Sequence, residues 1–134
     1  MSNRHKVAPV FAAMLACVLV LFATACATQP AARTDAGIAI ETAAASRYEI
    51  HRVQVRRAAD ALSVSGDIAH VPSMRLLVPG TVEVSVVGPD GSRLAAQTTT
   101  PMRASRQARH AHFDVRLPVE PPAGSAVRIE HRLD

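Results

Sequence analysis

The 134-residue chain has no tryptophan, one tyrosine and three phenylalanines, and its only cysteines, Cys17 and Cys26, both precede residue 27. A domain built from the remainder has no thiol for a disulfide, a thiolate metal centre or a cysteine nucleophile, so it must stand on its core alone. Past Cys26 only Tyr48 and Phe113 are left as aromatic stacking surfaces, which is little for a nucleic-acid binder. Catalytic patterns are missing as well. There is no GxSxG elbow, phosphate-binding loop or dinucleotide fingerprint, and no pair of carboxylates in a recognisable frame. A domain this small seldom encloses a pocket of ~300 Å³, so no enzyme is expected.

What is there begins with an N-terminus of a different kind from the rest. MSNRHK carries Arg4 and Lys6, and the 19 residues VAPVFAAMLACVLVLFATA (7–25) carry no charge. A basic start followed by an apolar run is the layout of an export signal, although the run also meets the roughly 20 residues of a membrane-spanning helix. The end of the run decides between them. FATAC (22–26) sets the small residues Thr24 and Ala25 before Cys26, and this resembles the lipobox of bacterial lipoprotein signal peptides. That resemblance implies cleavage after residue 25, lipidation of Cys26, and a protein held at a membrane facing the periplasm by several acyl chains, which anchor stably where one does not. Ala27, where an aspartate would act as a retention mark, implies the outer membrane.

Removing Arg4 and Lys6 from the 15 basic residues leaves 13, all arginine, against 11 acidic ones, a net charge of +2. The high isoelectric point thus reflects arginine's pKa as much as an excess of charge, and no nucleic-acid partner is expected.

Residues 27–46, ATQPAARTDAGIAIETAAAS, are rich in alanine and small polar residues, with Pro30 and Gly37 as breakers. They read as a flexible tether spanning about 25 Å. Alanine's helix propensity allows a short helix at 38–45, although so short a segment is marginal alone. From Arg47 the texture changes to alternating apolar runs separated by turn chemistry, so residues 47–134 are expected to form one all-β domain of six to seven strands. Six are legible: 48–55, 61–70, 81–88, 92–99, 110–119 and 125–133. Leu62, Val64 and Ile68 share one face against Ser63, Ser65 and Asp67, and Val82, Val84 and Val86 oppose Glu83 and Ser85. Pro89-Asp90-Gly91 is the clearest turn. VEVSVVGPDGSRL followed by FDVRLPVEPPAGSAVRIE resembles the small immunoglobulin-like β-sandwich domains of bacterial periplasmic and surface lipoproteins. The likeness implies a fold and leaves function open.

Three features could carry binding. If Phe113, Val115 and Leu117 face inward, His110, His112, Asp114 and Arg116 form a row facing water, where two imidazoles at i and i+2 could take copper or zinc if a neighbouring strand adds a third ligand. A solvated strand face is the plainer reading of the same row. Met74 and Met102 suit copper(I), yet with no Met-x-x-Met or His-x-x-Met spacing they are expected to fill gaps near strand ends. His131 is in phase with Val127, Ile129 and Leu133 and should point inward or sit at a sheet edge, as a satisfied, partly buried histidine and not a ligand. Lastly, Arg103, Arg106 and Arg109 lie in a stretch after Pro101 that reads as an extended loop, suited to a carboxylate- or phosphate-bearing partner. The expectation is a lipid-anchored envelope protein that works by binding or assembly with another envelope protein and needs no cofactor. Metal capture through His110 and His112 is the alternative.

Overall fold

The computed structural model describes residues 37–72 and 75–134. The apolar N-terminal run, Cys26, the first part of the tether and Met74 lie outside the described residues. The described residues contain no helix and form seven strands: β1 (Ala39–Ala43), β2 (Tyr48–Arg57), β3 (Leu62–His70), β4 (Thr81–Val87), β5 (Arg93–Thr99), β6 (His110–Leu117) and β7 (Ala126–Arg132). They make a four-stranded sheet, β1-β7-β4-β5, and a three-stranded sheet, β2-β3-β6. The inward residues of both belong to one apolar core, an arrangement that fits a β-sandwich.

Alternation explains most of it. Val82, Val84 and Val86 of β4, Leu62, Val64 and Ile68 of β3, and Phe113, Val115 and Leu117 of β6 are all buried. Phe113 is seated by a glycine opposite it. A Cβ on Gly66 would come within 2.7 Å of the ring's Cζ, so this position must stay bare for the largest core side chain to lie flat.

Residues 38–45, where alanine content allows a short helix in the tether, are the main correction. Ala39–Ala43 is a strand, and it pairs in parallel with β7 from Ala39↔Ala126 to Ala43↔Glu130. The reason is the isoleucines. Ile38 and Ile40 are buried while Ala39 and Glu41 face water, and burying two branched side chains outweighs the small helix preference of a few alanines. Glu41 then accepts from Arg128 Nε at 3.0 Å across the pair. The packed unit therefore takes in residues ahead of Arg47.

The Pro89-Asp90-Gly91 turn closes the β4–β5 hairpin as expected. Gly91 has φ +82° and donates to the Gly88 carbonyl at 2.9 Å, while Asp90 Oδ1 accepts from the Ser92 amide at 3.0 Å and the Ser92 hydroxyl at 2.7 Å.

Register fixes the two ends of the molecule. Loops 44–47, 71–80 and 100–109 and the last two residues emerge at one end, because Thr81 pairs with Arg132, Val82 with Thr99 and Tyr48 with His70. The β2–β3, β4–β5 and β6–β7 connections emerge at the other, where Val87 pairs with Ala126 and Leu62 with Leu117. Ala39 pairs with Ala126, so the chain enters the fold at this second end.

Candidate functional site

The outer face of the three-stranded sheet carries two adjacent rows: His51–Asp67–His112 and Glu49–Ala69–His110, each running across β2, β3 and β6. In β6 the parity is as the sequence implies, with His112, Asp114 and Arg116 exposed and Ala111, Phe113, Val115 and Leu117 buried. The two histidines nevertheless go to different partners. His112 Nδ1 donates to Asp67 Oδ1 at 3.1 Å; an ionised carboxylate only accepts, so this ring nitrogen carries the proton. His110 instead meets His51, the ring centroids 6.3 Å apart at 74°.

Asp67 is only 8% exposed although its backbone puts it on the outer face, because Arg52 closes over it with Nε 2.7 Å from Oδ2. By alternation from Ile50, Arg52 belongs to the inner face. A bulge between His51 and Gln54 inserts one residue into β2, and Arg52 takes φ +53°. Holding a non-glycine residue there costs about 1–2 kcal/mol, which the charge-assisted contact to Asp67 offsets. The signal for this was in the sequence: the apolar phase of YEIHRVQV is Tyr48 and Ile50, then Val53 and Val55, a shift that only an extra residue permits.

Around Ala69 the surface dips into an open depression of about 450 Å³ lined by Glu49, His51, His70, Val71, Arg109 and His110. Among the described residues no three of His, Cys, Asp and Glu are grouped to hold a metal ion, so no third ligand stands beside His110 and His112. Three imidazoles are fixed by hydrogen bonds: His112 by Asp67, His70 Nδ1 by the Pro72 carbonyl at 3.2 Å, and His131, whose Nε2 donates to the Pro79 carbonyl at 2.8 Å. His131 is buried and points inward, as its phase implies, and edges against Tyr48 with centroids 4.9 Å apart. It is only half satisfied, since its Nδ1 has no partner among the described residues.

The arginine-rich stretch 100–109 is a loop with a short turn. Met102 makes an isolated antiparallel bridge to His112, with both backbone hydrogen bonds 2.8 Å long. The Met102 side chain fills no gap; it is 73% exposed, because its backbone is spent on the bridge and its side chain projects beyond the sheet. Arg103 Nη1 donates to the carbonyls of Arg75 and Arg106, each at 3.3 Å, which ties loop 71–80 to loop 100–109. Arg106 and Arg109 are exposed and have no ion-pair partner among the described residues. Of the seven strand arginines, Arg52, Arg93, Arg116, Arg128 and Arg132 each meet a carboxylate, whereas Arg56 donates to Gln54 Oε1 and Arg57 to the Pro121 carbonyl. An open groove of about 360 Å³ between Leu77, Val78, Pro101, Met102, Arg103 and Arg106 joins apolar and cationic lining at this end.

Comparison with protein-family models, with curated proteins and with solved structures returns no match to this chain.

Proposed function

We propose that this is a lipid-anchored protein of the cell envelope, an immunoglobulin-like β-sandwich tethered through Cys26 on the periplasmic side of the outer membrane, and that it works as a binding or assembly module. The observation that carries the assembly part is the concentration, at one end of the fold, of exposed apolar side chains and of arginines with no carboxylate partner among the described residues. Arg47, Arg75, Arg103, Arg106 and Arg109 lie in its loops, together with exposed Val71, Leu76, Leu77, Met102 and Leu133. Exposed apolar groups cost solubility, so a cluster of them rimmed by charge has the composition of an interaction surface.

The partner's chemistry follows from the patch: an acidic protein surface presenting at least one apolar side chain to the groove. A protein is favoured over the anchoring membrane by the path of the chain. Gly37 follows Cys26 by eleven residues, and the chain enters the fold at the end opposite the basic loops, so the point of attachment is remote from them.

Cross-linking in cells with the full chain should capture a discrete envelope protein, and Arg103→Ser with Arg106→Ser and Arg109→Ser should weaken that capture. Unchanged capture removes this end as the contact. The anchor is tested separately: metabolic palmitate labelling should be lost in Cys26→Ser, and labelling that survives the substitution disproves lipidation at that residue.

A further inference from the structure

We infer that His51 and His110 form a binding site for a borderline-soft divalent cation, copper(II) or zinc, on the outer face of the β2-β3-β6 sheet. The contrast among the histidines carries it. His70, His112 and His131 each have a ring nitrogen held by an oxygen, whereas His51 and His110, both half-buried, have no hydrogen-bond or ion-pair partner among the described residues and face each other. Two imidazoles with free lone pairs at the edge of one depression are unused donors where a cation can reach them.

Geometry allows them to share an ion. They stand on β2 and β6 with β3 between, and the small side chain of Ala69 on β3 lines the depression with them. With a metal–nitrogen bond of about 2.1 Å, the ion lies about 3.2 Å from each ring centroid, so two rings on one ion have centroids about 5.2 Å apart at the tetrahedral angle and at most about 6.4 Å. The observed 6.3 Å needs only a swing of the rings to close. Side-chain charge around the depression balances, Glu49 against Arg109, so a cation meets no net repulsion. Two protein nitrogens leave the other positions to solvent, which implies binding in the micromolar range. Neutral imidazole suits zinc and copper(II), and copper(II) should bind more tightly.

Calorimetric titration of the purified full chain with copper(II) and with zinc should show one ion per chain. His51→Asn and His110→Asn should each weaken binding by about tenfold or more, and Ala69→Ile, which removes no ligand but wedges the rings apart, should weaken it as well. His112→Asn should leave binding unchanged. Nitrogen hyperfine structure in the copper(II) spectrum should count two imidazoles and fall to one in either ligand variant. No cation binding overturns the inference, as does a His112→Asn variant as damaging as His51→Asn. Inorganic phosphate binding that strengthens in acid, without cation binding, would make the depression an anion site instead. Circular dichroism on each variant separates a lost site from a lost fold, and neither Arg103 nor Arg106 takes part, so failure here leaves the assembly reading untouched.

Discussion

At the end where β4 starts, loops 44–47, 71–80 and 100–109 and residues 133–134 contain five arginines and one aspartate, and they hold five of the six large apolar side chains that are exposed among the described residues. At the other end, segments 58–61, 88–92 and 118–125 contain no arginine and three acidic residues, Asp60, Asp90 and Glu120, and none of those exposed apolar groups. Both ends close the same seven strands, so folding does not require the difference. The acidic end shows what connection alone needs: short turns with local hydrogen bonds, such as Ser125 Oγ donating to the Pro122 carbonyl at 2.7 Å. The basic end departs from that economy. Loops 71–80 and 100–109 are longer; Arg103 ties them to each other, and His131 of β7 holds the first of them at the Pro79 carbonyl. Solubility accounts for arginines at a loop but not for Leu76, Leu77 and Met102 beside them, which is why this end is read as the contact surface.

The sharpest way to break the comparison is one substitution made at both ends. Gly80 and Gly91 have nearly the same φ, +86° and +82°. A Cβ on Gly80 would overlap the Arg132 carbonyl, backbone that cannot move without shifting β7, whereas a Cβ on Gly91 meets open space. Gly80→Ala should therefore cost on the order of 3 kcal/mol or more, strain and overpacking together, and Gly91→Ala only about 1 kcal/mol of left-handed strain. Urea denaturation of the two variants measures this. Equal losses would mean that loop 71–80 is not anchored on β7 as described.

Charge comes next. Replacing Arg103, Arg106 and Arg109 by serine should reduce affinity for a polyglutamate probe about tenfold at low ionic strength, with a smaller difference as salt screens the contact. Replacing Asp60, Asp90 and Glu120 by their amides should leave that affinity unchanged or raise it slightly. If both triple variants shift affinity alike, net charge governs binding and the segregation of charge between the ends is incidental.

How much of this was legible depended on whether the information was local. The strand faces, the Pro89–Gly91 turn and the solvent side of His112 followed from period-two alternation, a property of adjacent residues. β1 was not legible because five residues pairing in parallel with a strand some 87 positions later leave no local mark beyond Ile38 and Ile40. The histidine face failed for a related reason. Spacing along β6 could place His110 and His112 side by side, but their partners are set across β3 by the register of β2 and by the bulge that brings Arg52 onto Asp67. Segregation of arginine between the ends needs the strand order before any loop can be assigned to an end.

Apolar exposure at the basic end makes a subtler test. Leu77 and Met102 are 72% and 73% exposed, so Leu77→Ser with Met102→Ser should move stability by no more than about 0.5 kcal/mol while reducing capture of the envelope partner. Leu94→Ser, on β5 beside the 88–92 turn of the other end, should leave capture intact. A pair of variants that loses stability but not capture would mean that these side chains cover the core and do not meet a partner.

The smallest effect belongs to the acidic end. Hydrogen bonds from the Ser92 hydroxyl first, and then from its amide, hold the Asp90 carboxyl below its ordinary pKa. A carboxyl whose pKa is depressed by folding contributes stability that is present above its unfolded pKa and is lost as pH falls through the folded value. Ser92→Ala removes the stronger bond and leaves the amide, so the Asp90 pKa should rise part of the way back, and the acid limb of the stability curve should become slightly shallower, with no change at neutral pH beyond the loss of one exposed hydrogen bond. Titrating Asp90 by NMR in both proteins reads this directly.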